Sequence, residues 1–188
     1  MLYLLDASVL ITANNQYYPV DRVPEYWDWL RHVCSLGQVK LPVEIYEEVK
    51  AGPAEERDNL FAWLQQDEVK KVVVLPGQAS LSHVRHVTMN GYANDLSDAE
   101  VEQIGRDPFL IAHALADRGN RCVVTAETSQ RSKQRQNKKV PDVCEAMGVK
   151  WCDPFAFARD LGFSTDWASR LQQIPKPIYN HAARVIQT

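Results

Sequence analysis

The sequence predicts an α/β protein with a central, mainly parallel sheet flanked by helices. Three observations lead to this prediction. Short apolar runs typical of strands recur along the chain, helix-like segments separate them, and 188 residues are enough for one domain with a real core. Strands separated by helices favour parallel pairing with right-handed crossovers. We find no internal repeat in the sequence and no sign of a second domain.

The first half of the chain alternates strand and helix patterns. Residues 2–5 form an apolar run too short for a helix, and Ser8 is the predicted N-cap of a helix that follows. The polar and aromatic segment 14–20 is predicted to be a loop. Apolar residues at helical spacing predict helices over 24–36, 42–51 and 54–66, and short strands are expected at 39–41 and 71–75.

The second half continues the same alternation. We expect a helix over 81–92, a polar turn at 93–97, a strong helix over 106–118 and a strand at 121–125. A polar, basic loop follows at 130–139, then a helix over 141–147, a strand at 149–152 and a helix over 153–161. The predicted organisation is therefore one domain, 1–162, and a C-terminal tail, 163–188, with one amphipathic piece over 167–174.

Composition is that of a globular chain, with 45% hydrophobic and 24% charged residues. The net charge of −3 gives no global basic field, but a local basic patch beside acidic residues would cancel in this sum. None of the four cysteines forms a C-x-x-C pair, so we expect reduced thiols and a cytoplasmic protein. No apolar run approaches about 20 residues, so neither a membrane span nor a signal peptide is expected.

Acidic residues fall at the positions that such a sheet presents together, at strand ends and helix starts. These acids are Asp6, the group Glu44, Glu47 and Glu48, then Asp107, and Glu127. Ligands of open α/β sheets bind at the carboxyl ends of the strands. Clustered carboxylates repel one another unless cations neutralise them, and oxygen-only ligands select Mg²⁺ or Mn²⁺. The pattern therefore indicates metal-assisted hydrolysis of a phosphodiester.

Each acid also has a purely structural interpretation. Asp107 at a helix start is favoured by the helix dipole without any metal. Glu44 and Glu48 are i,i+4 neighbours and are compatible with a solvated helix face, and Glu127 with a loop acid. It is the joint placement of the acids that favours a functional site.

Four segments resemble the PIN-domain ribonucleases, the fold of the VapC-type toxins. They are YLLDASVLI, VEIYEEVKAG, RDPFLIAHAL and VVTAET, and the resemblance covers most of residues 1–161. It implies a PIN-like three-layer sandwich that uses Mg²⁺ or Mn²⁺ to cleave RNA. Matched residue by residue, the four acids of that family fall on Asp6, Glu48, Asp107 and Glu127. Its supporting hydroxyl positions fall on Ser8 and Thr125. The segments around 14–30 and 139–151 resemble a lesser-known PIN-like subgroup rather than the compact toxins.

The match departs from the common PIN pattern in two ways. The fourth acid is Glu127, where Asp is usual. The helical acid is ambiguous, since Glu48 is favoured, Glu44 lies one turn earlier and Glu47 fits less well. Asp142 is a candidate fifth acid, and a role at a helix N-terminus suits it equally well.

One dense basic run directly follows Glu127, and it consists of Arg131, Lys133, Arg135, Lys138 and Lys139. Such a run beside the acids is suited to hold the phosphates of RNA, but it is also typical of a solvated surface loop. Tyr17 and Tyr18 are suited either to stack on bases or to pack in the fold.

We therefore expect a metal-dependent endoribonuclease. The resemblance alone further implies the toxin of a toxin–antitoxin pair, with RNA as substrate, an antitoxin protein as partner and a homodimeric state. The alternative is a non-catalytic PIN-like module that binds RNA or a protein. Metal-dependent cleavage separates the two.

Overall fold

Five parallel strands form the centre of the molecule in the order β3-β2-β1-β4-β5. The structure is a computed structural model that describes residues 1–51 and 58–173. The strands are β1 (Leu2–Leu5), β2 (Val39–Pro42), β3 (Val74–Leu75), β4 (Arg121–Val124) and β5 (Lys150–Cys152). Every neighbouring pair in this sheet runs parallel.

Helices flank this sheet, which confirms the predicted α/β class. They are α1 (Ala7–Thr12), α2 (Pro24–Ser35), α3 (Val43–Ala51), α4 (Asp58–Gln65), α5 (Asp67–Val73), α6 (Leu81–His86), α7 (Asp98–Ile104), α8 (Asp107–Leu115), α9 (Val140–Met147), α10 (Pro154–Asp160) and α11 (Trp167–Gln173). π-helical turns extend α1 over Ala13–Tyr17 and α6 over Val87–Tyr92.

The order of the strands places a topological switch point between β1 and β4. The chain builds outward from β1 to β2 and β3, then returns to the other side of β1 to add β4 and β5. The register joins Leu5 to Val124, and the Asp6 N–H donates to the carbonyl of Val124 at 2.9 Å. The carboxyl ends of β1 and β4 therefore open on one crevice, where α/β sheets bind their ligands.

The core is continuous across the sheet and its helices. Leu4, Leu5 and Val123 are completely buried in the central strands. Tyr3 meets the ring of Phe157 in α10 at 5.4 Å between centroids, and Phe157 meets Trp29 in α2 at 5.5 Å. Burial of these large side chains fixes the strand ends that carry the acids.

Two local predictions were wrong for the same reason, since tertiary packing overrides local propensity. The predicted strand at 71–75 is helix as far as Val73, and only two residues join the sheet. Val69 and Val73 lie one turn apart and are both fully buried, so helical spacing rather than β-branching decides this segment. The predicted loop at 14–20 begins as a π-helical turn, in which the Tyr18 N–H donates to the carbonyl of Ala13.

Helix α7 was missed by the prediction. It begins with a capping box in which the Ser97 side chain accepts from the Glu100 N–H and the Glu100 carboxylate accepts from the Ser97 N–H. The sequence signal for this motif, a Ser followed three residues later by a Glu, was present.

The amphipathic piece predicted in the tail is seen as α11, up to Gln173. The Trp167 indole donates to the carbonyl of Glu25 in α2 at 3.0 Å. Residues 52–57 and 174–188 lie outside the described residues, and with them the start of the predicted 54–66 helix and most of the tail. Within 1–51 and 58–173, no helix is both long and apolar enough to span a bilayer. The four cysteines are free thiols, as expected.

Candidate functional site

Asp6 occupies the turn between β1 and α1, and it is the N-cap of α1 in place of the predicted Ser8. Its Oδ2 accepts hydrogen bonds from the hydroxyl of Ser8 at 2.7 Å and from that of Thr125 at 2.6 Å. Burial raises the pKa of Asp6, the charge of Glu127 raises it further, and the two hydroxyls oppose this rise. The residue is only 6% exposed, so water contributes little to the solvation of its carboxylate.

Ser8 and Thr125 also connect Asp6 to the segment that follows β4. The Ser8 hydroxyl accepts from the Ala126 N–H at 3.1 Å, and the Thr125 hydroxyl accepts from the Glu127 N–H at 3.2 Å. The two residues predicted as supporting hydroxyls therefore hold the turn containing Glu127 against the end of β1.

Asp107 begins α8, and the hydroxyl of Tyr92 donates to its Oδ2 at 3.2 Å. Burial raises the pKa of Asp107 well above its usual range, and the charges of Asp6, Glu127 and Glu48 raise it further. The hydrogen bond from Tyr92 acts in the opposite direction. The structure thus brings the four predicted acids into one electrostatic group, which we call the carboxylate cluster: Asp6, Glu48, Asp107 and Glu127.

Glu48 is the acid of α3 that faces the cluster. Glu48 is exposed as a residue, but desolvation of its carboxyl and the charge of Asp6 raise its pKa, while Arg106 lowers it. Glu47 is exposed and pairs instead with Lys50 at 3.1 Å.

Glu44, the other acid considered for α3, belongs to a separate buried pair. Its Oε2 accepts from Nε2 of His113 at 3.0 Å, and its Oε1 accepts from the Ala79 N–H at 2.8 Å. Both oxygens are therefore engaged by the fold, away from the carboxylate cluster.

Glu127 is the member of the cluster with a direct cationic partner. Its Oε1 accepts from Lys139 Nζ at 2.8 Å, and its Oε2 accepts from the Val140 N–H at the start of α9, also at 2.8 Å. The hydrogen bond from Lys139 raises the pKa of that lysine. Glu127 thereby fixes the end of the basic loop beside the cluster.

Asp142, the candidate fifth acid, serves the loop after Glu127. Its carboxylate accepts from the hydroxyl of Ser129 at 2.5 Å and from the Gln130 N–H at 2.8 Å. Asp142 lies in the first turn of α9, where the helix dipole favours a carboxylate, and these two hydrogen bonds connect it to the loop.

The donor chemistry of the cluster suits a hard divalent cation, because all four groups are carboxylates and three have raised pKa values. Its side chains do not form a closed coordination shell. Within the part of the chain that the structure describes, no three His, Cys, Asp or Glu residues stand together in a way that could hold a metal ion. The cluster is therefore a set of mutually repelling acids in one crevice.

The predicted basic run is largely paired within the molecule. The partners are Glu145 for Arg131, Asp95 and Glu100 for Arg135, the carbonyl of Gly91 for Lys138, and Glu127 for Lys139. Lys133 is exposed. The run is thus an ordered part of the surface, and its lysines stand nearest to the acids.

Two cavities of about 270 Å³ each share Glu127 as part of their wall. The polar cavity contains Asp107, Lys133, Lys138, Lys139 and the amides of Gln103, Gln130, Gln136 and Asn137. The aromatic cavity contains Tyr17, Tyr18, Tyr26 and Phe155 beside α1. The prediction did not include these amides or Phe155. Only Gln130, Gln136 and Asn137 could have been found from the sequence, because they lie within the predicted basic loop.

A family model described as "Domain of unknown function (DUF4411)" matches residues 3–165. This span contains the carboxylate cluster and both cavities. A comparison with curated proteins gives no match.

Proposed function

We propose that this chain, which belongs to the DUF4411 family, is a divalent-metal-dependent endoribonuclease that hydrolyses RNA phosphodiester bonds at the carboxylate cluster. One observation carries the proposal: the hydroxyl of Thr125 joins Asp6 to the Glu127 N–H, and Glu127 lines one cavity with Asp107 and three lysines. The charges of Asp6, Glu127 and Glu48 also raise the pKa of the buried Asp107. Acids held this close destabilise one another, and a bound cation relieves that repulsion. Their position at the switch point of the sheet is where α/β folds bind ligands.

The surroundings of the cluster supply the opposite charge that a phosphate requires. Lys133, Lys138 and Lys139 line the polar cavity together with Asp107 and Glu127. Anionic oxygens of an RNA backbone would be repelled by the carboxylates alone, but lysines next to the acids can hold the flanking phosphates. Acids and lysines within one cavity therefore favour a phosphodiester over a neutral substrate.

The residues of the carboxylate cluster and the two hydroxyls beside it would have different roles in hydrolysis. Mg²⁺ or Mn²⁺, when bound, polarises the phosphate and makes water a better nucleophile at neutral pH. To hold the ion, the carboxylates of the cluster would have to move closer together than they stand in this structure. Ser8 and Thr125 keep Asp6 in a single orientation. In the reaction, the oxygen of water forms a bond to phosphorus and loses one proton, one P–O bond breaks, and the leaving oxygen takes up a proton in return.

The finer parts of the proposal rest on the PIN-domain resemblance of the sequence. They are a cytoplasmic toxin of a toxin–antitoxin pair, an antitoxin protein as partner and a homodimer. A non-catalytic module that binds RNA or protein is the alternative, and the loss or presence of cleavage decides between the two.

The test is incubation of the purified chain with a mixed RNA pool in Mn²⁺ or in EDTA. We expect cleavage in Mn²⁺ only, and a loss of at least about 100-fold in Asp107→Asn, since loss of a ligand exceeds the 10- to 100-fold effects known for outer-shell residues. Glu48→Gln should lose activity as well.

Glu47→Gln is the matched control, because Glu47 is the neighbouring acid on the same helix and pairs with Lys50 outside the cluster. It should cleave like the wild type. RNA that stays intact with every protein, while still binding to it, would refute the nuclease and favour the binding module.

A further inference from the structure

Two of the Phe, Tyr and Trp side chains that the structure describes are exposed, whereas the other described ones are buried or half-buried. Among the aromatic residues within 1–51 and 58–173, only Tyr17 and Phe155 are in the exposed class, at 48% and 44%. Their rings meet edge to face, with centroids 5.1 Å apart and planes at 75°. Two large apolar rings that contact each other at the surface are a feature of binding sites.

Tyr17 and its neighbour Tyr18 have different environments. The Tyr18 ring stacks on Tyr26 at 4.4 Å between centroids, with planes only 13° apart, and the Tyr26 ring is itself buried. Tyr18 therefore packs in the fold. Tyr17 ends the π-helical turn that extends α1, so its backbone is ordered while its ring stays open to solvent. An ordered, exposed ring binds a ligand with little loss of conformational entropy.

The exposed pair lines the aromatic cavity, and the wall of that cavity includes Glu127 of the carboxylate cluster. At about 270 Å³ the cavity is slightly smaller than the pockets of about 300–1,000 Å³ that enclose drug-sized ligands. It therefore suits one planar ring system placed directly beside the acids.

The negative charges that line the aromatic cavity disfavour a phosphate there. Among the residues that the structure describes, the charged lining of this cavity consists of Glu127 and Asp153, without a lysine or arginine. The lysines lie in the polar cavity, on whose wall Glu127 also stands. An uncharged base on the aromatic side and backbone phosphates on the polar side would match this distribution of charge.

We propose that the aromatic cavity binds one unpaired nucleobase, stacked against Tyr17 and Phe155, so that the substrate is single-stranded at the nucleotide next to the cluster. This inference rests on the proposed function. A base inside a duplex is already stacked and paired, so it reaches such a site only after leaving its helix. Aromatic side chains accept every base because each base has a π-face, so the cavity should select for strandedness rather than sequence.

The test measures binding separately from cleavage. Fluorescence anisotropy in EDTA gives the Kd of the wild type for a labelled single-stranded RNA, for the same RNA in a duplex and for a DNA strand of the same sequence. We expect the single strands to bind more tightly than the duplex. Tyr17→Leu and Phe155→Leu should each weaken single-strand binding by about 5- to 100-fold, the range known for loss of one stacked base.

Leu36→Ala is the matched control, since Leu36 is a large apolar side chain that is 60% exposed and lines neither cavity at the cluster. It should bind like the wild type. Because a variant can misfold, a second measurement uses the wild-type protein alone. A series of RNAs is prepared, each with one abasic nucleotide at a different position. We expect the wild type to bind one of these RNAs less tightly than the others.

The outcomes separate the two proposals. Single-strand binding that depends on Tyr17 and Phe155, without any cleavage in Mn²⁺, supports the base site and refutes the nuclease. Cleavage in Mn²⁺ with no effect of either variant or of the abasic positions refutes the base site alone. If the wild type binds neither RNA nor DNA, the base site is refuted.

Discussion

Two acid sites lie one helical turn apart on α3, and each faces a residue of α8. In the first, Glu44 accepts a hydrogen bond from His113, and in the second, the charge of Glu48 raises the pKa of Asp107. Between α3 and α8, one site thus pairs an acid with a base, whereas the other brings together two acids that repel each other. The first arrangement satisfies its charges within the fold, whereas the second leaves them to be satisfied by something from outside.

The two sites affect the stability of the fold with opposite sign. Burial acts to raise the pKa of Glu44, but hydrogen bonds from backbone N–H groups and from His113 outweigh it, and the pKa is lowered. A lowered carboxyl pKa means that ionisation stabilises the folded state. The pKa of Asp107 is raised by burial and by three other acids, so its ionisation destabilises the folded state.

The largest expected effect comes from removal of Glu44. In Glu44→Leu the Nε2–H of His113 and the N–H of Ala79 lose their acceptor in a site where the two paired side chains are only 7% and 9% exposed. We expect the free energy of unfolding to fall by about 3 kcal/mol, as for other buried pairs that lose one partner. Urea denaturation measures it, and an unchanged midpoint would mean that the pair contributes nothing to stability.

A smaller effect of opposite sign is expected at the second site. Asp107→Asn removes one of the repelling charges, and its side-chain oxygen still accepts from the hydroxyl of Tyr92. We expect the free energy of unfolding without metal to rise by about 1 kcal/mol, because a pKa change of about one unit corresponds to a free energy of this size. A loss of stability in the same denaturation assay would show that the acids are already neutralised by the fold.

The smallest expected effect is the pH dependence of the free energy of unfolding, which we compare for Glu44→Gln and Asp107→Asn. The wild type should lose its advantage over Glu44→Gln as the pH falls below about 4.3, where the free glutamate protonates. The advantage of Asp107→Asn over the wild type should grow as the pH rises, because the raised pKa of Asp107 makes its ionisation costly. Denaturation curves from pH 3.5 to 8 give the free energy of unfolding of the wild type minus that of each variant. This difference should rise with pH for Glu44→Gln and fall with pH for Asp107→Asn, and two slopes of the same sign would contradict the comparison.

The sequence contained enough to place Asp6, Asp107 and Glu127, because topology alone decides where strand ends and helix starts lie. For α3 the sequence favoured Glu48 but left the choice among Glu44, Glu47 and Glu48 open. That choice depends on which side of α3 faces α8, and the partner of Glu44 is 69 positions away in the chain. A helical period shows which residues share a face but not what the face meets.

Local charge was also a weak guide to the basic loop. Arg135 appeared free for RNA in the sequence, but Asp95 and Glu100 bind its guanidinium from a segment 35 to 40 positions earlier. Tyr17 and Tyr18 are neighbours with the same side chain, and their partners in the fold distinguish them: Tyr18 stacks on Tyr26, whereas Tyr17 contacts Phe155 at the surface. Such partners are set by the tertiary fold, which no local window of sequence contains.

The pairing of β1 with β4 has a consequence for how the chain matures. Asp6 and Thr125 are 119 positions apart, yet they share a hydrogen bond at the centre of the sheet. Contacts between such distant segments form late, because a long loop must close first. On the ribosome, a nascent chain carries Asp6 and Glu48 well before Asp107 and Glu127 exist, so the four acids assemble only when β4 and the turn after it have been made.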